Sequence, residues 1–286
     1  MIIDFHSHIY PEKIAAKAVA STEAFYTIPA RGRGTPEDLG AAGRRAGIDR
    51  FVVFSAAAVP AQVTSINDYI ALVCSGERKA GGPAHGDGAA TKGGDAVRPL
   101  PETPGPIFTG FGTLHPGMEN PGAEIDRIIG LGLRGLKFHP DMQKFSIDDE
   151  RMMNIYALLE GRLPVVFHTG DYRYTYSHPS RLAPVLDAFP RLTVIAAHFG
   201  GWSLFDLGLE YFRNRHCYFD LSSSIPYLGR RRTEELICIY GADRILFGSD
   251  YPIWDPGECL AEFRDLSLSS AEQERILSGT ALEILG

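Results

Sequence analysis

The chain has 286 residues, 44% of them hydrophobic and 22% charged, with a formal net charge of −7. That length suits one large α/β barrel and buries enough surface to fold without a disulfide or a structural metal. The acidic balance argues against a nucleic-acid partner, which leaves a basic footprint, and Arg230-Arg231-Arg232 reads as a solvated helix start.

Apolar runs at residues 2–5, 50–55, 107–114, 133–138, 163–167, 192–197, 217–221 and 244–247 are β-branched or aromatic and nearly continuous. Strands buried on both faces look like this. A helix opens at Thr35-Pro36-Glu37-Asp38, with an N-cap, a proline at N1 and an acidic first turn. Further helices are predicted at residues 65–74, 121–131, 148–159, 179–189, 204–213 and 233–240, with a C-terminal pair from about residue 256. Alternation of strand and helix implies parallel pairing through right-handed crossovers. No glycine-rich nucleotide-binding turn follows an early strand, which disfavours an open doubly wound sheet. The expectation is an α/β fold, a (β/α)8 TIM barrel, with residues 1–286 as one domain.

Residues of about 75–106, rich in Gly, Pro, Ala and charge, interrupt the rhythm. They read as a flexible insertion at the barrel face opposite the usual active site, with a partner or oligomer contact as the sharper alternative. His85 inside it reads as a solvated loop histidine. Cys74, Cys217, Cys238 and Cys259 are far apart and form no CxxC pair, so reduced, mostly buried thiols are expected. Met1-Ile2-Ile3-Asp4 lacks the features of a signal peptide, and no apolar run reaches the ~20 residues of a membrane span. A cytoplasmic protein without a membrane partner is expected, with a homodimer as the default assembly.

Ionisable residues collect where barrel enzymes build their sites, at the C-terminal ends of the strands. The first strand ends Asp4-Phe5-His6-Ser7-His8, and strand alternation places Asp4, His6 and His8 on one face. Two imidazoles at i and i+2 can reach one ion, although a core histidine satisfied by a carbonyl is the bland alternative. The fifth strand leads into His168-Thr169-Gly170-Asp171, the sixth into His198-Phe199-Gly200-Gly201, and the eighth into Ser249-Asp250-Tyr251-Pro252. Four such strand ends in one chain argue for a shared centre. Lys137 and His139 share a face of the fourth strand, and His115 ends the third. Asp171-Tyr172-Arg173-Tyr174-Thr175-Tyr176 would overhang the centre. Arg173 reads either as a clamp for a substrate carboxylate or as part of a stacked surface loop. Trp202 and Trp254 fit pocket walls or core, whereas His178 and His216 read as structural.

The set HxH, His, His, Asp, with Phe-His-Thr-Gly-Asp, Ala-His-Phe-Gly-Gly, Gly-Ser-Asp-Tyr-Pro and Gly-Leu-Lys-Phe-His-Pro, resembles the amidohydrolase superfamily. The spelling is similar to its amidohydrolase 2 branch, which includes relatives of aminocarboxymuconate-semialdehyde decarboxylase. The resemblance implies one divalent ion on His6, His8, His168 and Asp250, with His198 beside it. Zinc is the first expectation and manganese the second. A binuclear site, with Lys137 carboxylated and His198 a ligand, is the less favoured alternative. Lys137 otherwise reads as a substrate-binding cation or as the partner of a structural carboxylate. The implied activity is metal-dependent hydrolysis of a small organic substrate, with Asp250 and His198 catalytic and Arg173, Lys137, His139 and His115 binding substrate. Non-hydrolytic decarboxylation of a carboxylated substrate at the same site is the alternative. TatD-like nucleases and PHP-type phosphoesterases also open on an Asp-x-His-x-His strand, but the remaining motifs do not suggest them.

Overall fold

The computed structural model describes residues 1–76 and 105–286. All but the ends of the insertion expected at about 75–106, His85 included, lie outside the described residues. Among those described, eight parallel strands run in order: β1 (Ile3–His8), β2 (Arg50–Phe54), β3 (Ile107–Gly110), β4 (Leu136–Phe138), β5 (Val165–Phe167), β6 (Val194–Ala196), β7 (Tyr218–Asp220) and β8 (Ile245–Leu246). They form a three-stranded arc, β1-β2-β3, and a five-stranded arc, β4 to β8 in sequence order. Single bridges at Ser7–Tyr251 and Gly112–Leu136 close the arcs on each other. At the first seam Phe5 N donates to the Phe247 carbonyl and Asp250 N to the His6 carbonyl, both at 2.8 Å. The architecture is a (β/α)8 barrel.

The short strands are built as the apolar runs require. Val165 and Phe167 of β5 pack outward into the cluster shared with the helices, whereas Val166 joins an inner cluster with Ile3, Phe5, Val52, Phe54, Ile195 and Leu246. Ala281 and Leu285 of the last helix belong to that inner cluster too. Phe5 meets Phe111 edge-on at 5.6 Å within it, and burial of each such ring stabilises by about 1.5–3 kcal/mol. On β4 the outward residues are Leu136 and Phe138, so the inward residue between them is Lys137, which is fully buried. The register of β1 on β2 shifts between Asp4 and Ser7. The simple alternation expected for Asp4, His6 and His8 is therefore broken by a bulge, which lets Phe5 pack in the lumen while His6 and His8 turn into the mouth.

The helix at Pro36–Ala46 starts as its sequence dictates, with the Thr35 side chain accepting from Asp38 N. Asn120, Asp149 and Asp255 cap their helices in the same way, and Ser269 with Glu272 forms a capping box. One long helix, Glu12–Tyr26, was not expected from periodicity. Ala15 alone is buried along it, so it carries no apolar stripe, and it forms on alanine-rich propensity instead. It follows β1 directly and brings Tyr26 over the barrel mouth. Among the described residues no helix is long and apolar enough to cross a membrane.

All four cysteines are free, but burial divides them. Cys217 is buried and Cys74 half-buried, and burial pushes both thiols up to about 12. Burial also raises Cys259, whereas Cys238 is exposed, which departs from the expectation of mostly buried thiols. Titration of the native protein with a disulfide reagent is expected to modify about one thiol per chain quickly, that of Cys238, because the thiolate is the nucleophile. Rapid reaction of Cys217 in the native protein would contradict this packing.

Candidate metal centre

Seven of the residues singled out by sequence line one cavity at the barrel mouth: His6, His8, Lys137, His139, His168, His198 and Asp250. Tyr10, Thr22, Tyr26, Met142 and Ile253 are among its other wall residues. The backbone turns sharply to aim several of these groups. His198, Ser223 and Asp250, each just past a strand, sit at positive φ (58°, 49° and 65°). This conformation costs about 1–3 kcal/mol per residue, and such strain collects at functional sites.

Three ligand atoms converge. Asp250 Oδ1 lies 3.4 Å from His6 Nε2 and 3.5 Å from His8 Nε2. Ligands about 2.1 Å from a tetrahedral ion are separated by roughly 3.4 Å, so the two distances to Asp250 match ligand spacing and the group could hold a divalent ion. The hydrogen bonds settle which nitrogen is free on His6. Its Nδ1 lies 2.8 Å from Asp220 Oδ2, and a carboxylate only accepts, so Nδ1 carries the proton and Nε2 keeps its lone pair. Burial, and then the Lys137 ammonium, lowers the His6 pKa to about 4, which keeps the ring neutral. Although burial raises carboxylate pKa values, the Nδ1–H that His6 gives to Asp220 holds that acid below its usual range. On the far side of Asp250, Oδ2 accepts from Ser223 Oγ at 2.6 Å, and Trp254 Nε1 donates to that hydroxyl at 2.9 Å.

His168, the fourth expected ligand, lines the same cavity but stands outside that triad. His198 Nδ1 is 2.8 Å from the Ser222 carbonyl and so must donate. His198 Nε2 then accepts from His168 Nδ1 at 3.1 Å, leaving His168 Nε2 with a bare lone pair. That atom is buried and has no hydrogen-bond partner among the described residues, with Asp141 Oδ2 3.8 Å away. A buried acceptor without a partner is what an ion or a bound ligand would satisfy. The His139 and His168 rings stack 4.1 Å apart, and burial drives the pKa of each well below the usual imidazole value.

Lys137 Nζ lies 3.1 Å from His6 Nε2 and 5.0 Å from the centre of the Phe54 ring. Burial lowers its pKa to about 8, with Asp220 and Asp250 opposing the fall. Among the described residues it makes no ion pair. Nothing resembling a structural lysine–carboxylate pair is present there.

Two expected substrate contacts are placed elsewhere. Arg173 directs Nε and Nη2 to the two oxygens of Asp171, at 2.9 and 2.7 Å, and Nη1 to the Phe25 carbonyl. Its fork is therefore occupied, and it fastens the end of helix Glu12–Tyr26 rather than facing the cavity. His115 lies outside the cavity lining; its Nδ1 accepts from Gly117 N at 3.0 Å, and its ring packs against Phe145. Sequence reasoning also passed over Asp220, Asp141 and Tyr26. Asp220 obeys the same rule as the named residues, an acid at the end of an apolar strand, so its signal was present.

A family model described as amidohydrolase matches residues 3–286. Among solved structures, an uncharacterized TIM-barrel protein from Bordetella bronchiseptica is similar, with a TM-score of 0.72 at 21% identity over 99% of this chain and 98% of that one. The 5-carboxyvanillate decarboxylase of Sphingomonas paucimobilis aligns with a TM-score of 0.69 at 17% identity, covering 99% and 98%. A dihydroxybenzoic acid decarboxylase from Polaromonas, solved with manganese and the inhibitor 2-nitroresorcinol, gives 0.68 at 15% identity over 99% and 96%. At such identities the likeness speaks for the fold. With a match running from β1 to the last residue, the chain belongs to the amidohydrolase family.

Proposed function

We propose that the protein is a metal-dependent decarboxylase acting on a small hydroxylated aromatic acid. The carrying observation is Lys137, a buried ammonium with no carboxylate partner among the described residues, set beside the His6–His8–Asp250 triad. A buried cation without a counter-ion is costly, and a substrate carboxylate would supply one. Tyr10 and Tyr26 give the cavity flat walls suited to a ring. The decarboxylase activities of two similar barrels support this reading over hydrolysis, the outcome first expected from sequence.

A divalent ion on the triad, zinc or manganese, would polarise substrate oxygen and neutralise its charge. The remaining work falls to side chains. Lys137 holds the carboxylate. Asp250, whose Oδ2 accepts from the Ser223 hydroxyl, accepts a phenolic proton and returns it to the ring carbon as the bond to the carboxyl carbon breaks. Carbon dioxide leaves, and the ring keeps hydrogen in its place. Ser223 and Trp254 fix the carboxylate for both transfers, and His198 holds His168 in place.

Incubation of the metal-loaded protein with 2,6-dihydroxybenzoate and 5-carboxyvanillate in deuterated water tests the reading. The expected result is carbon dioxide with one deuterium on the product ring. Cleavage of an amide, ester or lactone panel, with neither acid turned over, would replace it with the hydrolase. The nitrophenol 2-nitroresorcinol serves as a coloured probe for occupancy of the same cavity.

A further inference from the structure

The hydroxyl of Tyr26 lies 2.6 Å from His139 Nε2. The direction of that bond follows from the other side of the ring. Met142 N, a backbone donor, points at His139 Nδ1, which caps the short helix Pro140–Gln143. Nδ1 therefore has no proton, Nε2 carries it, and Nε2–H donates to the tyrosine oxygen. The hydroxyl proton of Tyr26 is left unspent. Among the described residues no other hydrogen bond to this hydroxyl exists, and the two nearby acids are engaged, Asp141 by Ser177 and Asp171 by Arg173.

The ring is held independently of any ligand. Arg173 binds the Phe25 carbonyl and lies over the Phe25 ring at 4.9 Å, Tyr174 stacks on Phe25 at 5.4 Å, and Trp202 meets Tyr26 edge-on at 5.1 Å. The tyrosine thus reaches the cavity with its orientation fixed and one donor to give. Lys137 sits deeper, on the inward face of β4, two residues before His139.

We propose that Tyr26 donates its hydroxyl proton to a second ring oxygen of the bound aromatic acid, other than the one that gives its proton to Asp250, with His139 as the positioning residue that orients it. The proposal rests on the decarboxylase reading and narrows it to rings with two oxygen substituents besides the carboxyl group. A donor of fixed direction rejects ligands lacking the oxygen, because its bond is then unmade.

Spectroscopic titration of the metal-loaded protein with 2-nitroresorcinol and with 2-nitrophenol, which lacks the second ring oxygen, tests this. The parent protein is expected to prefer 2-nitroresorcinol, and Tyr26→Phe to shrink that preference about 5- to 10-fold, the loss of one hydrogen bond, with metal content and melting temperature held. His139→Leu is expected to lower the preference in the parent and to add nothing when combined with Tyr26→Phe, a coupling that a purely structural role would not produce. If His139→Leu does not fold, Tyr26→Phe alone decides. An undiminished preference in Tyr26→Phe, or loss of metal from it, overturns the inference while leaving the decarboxylase reading intact. Failure of the parent to bind either nitrophenol overturns both.

Discussion

Asp250→Asn is expected to lower kcat/KM by at least about 10³-fold and to strip the bound ion, with His8→Ala behaving alike. The carboxylate faces two imidazole nitrogens at 3.4 and 3.5 Å, so one substitution removes the only oxygen of the triad and the group assigned to carry the proton. The amide keeps size and shape, and Ser223 can still bond to its oxygen, so the fold should persist. Elemental analysis after dialysis should find about one equivalent of zinc or manganese in the parent and little in either variant. Retention of a full equivalent by Asp250→Asn would place the ion elsewhere, and the second His–Asp cluster at His139, Asp141 and His168 would become the site to examine.

Asp220→Asn is expected to weaken metal binding about 10- to 100-fold, although Asp220 is not in the His6–His8–Asp250 triad. Its two oxygens are fully used: Oδ2 takes the His6 Nδ1 proton, while Oδ1 accepts from Ser222 Oγ and from the backbone of Ser222 and His198. An amide in its place must keep its oxygen for those donors and turn its NH2 toward His6. The imidazole then moves its proton to Nε2, the atom needed for the ion. Competition with a coloured chelator would measure the loss. Affinity within twofold of the parent would mean that Asp220 does not set the His6 tautomer.

Much of this centre could be read from strand ends, because burial leaves a strand few reasons to finish on an imidazole or an acid. That rule reached His6, His8, His168, His198 and Asp250, and the structure gathers them in one cavity. Orientation was not readable. His168 was placed by its strand, yet its partners came from the His198–Ser222 chain, which no local pattern encodes. Arg173 among tyrosines announced a contact, but not that Asp171, two residues earlier, would take both arms of its fork. Tyr26 stayed hidden for a different reason. Helix Glu12–Tyr26 packs so little of itself that it lacks the apolar periodicity by which helices are recognised.

The seam between the two arcs carries a consequence for how the barrel and the site depend on each other. His6 and Asp250 are joined there twice, once through the backbone and once across 3.4 Å between side chains. Sliding one strand past the other by a single residue, about 3.3 Å, would carry the carboxylate a full ligand spacing away. Ligand spacing is therefore a gauge of closure. A defect in strand register at this seam would surface as lost metal affinity while helices and core still looked intact, and the chemistry would fail before the fold did.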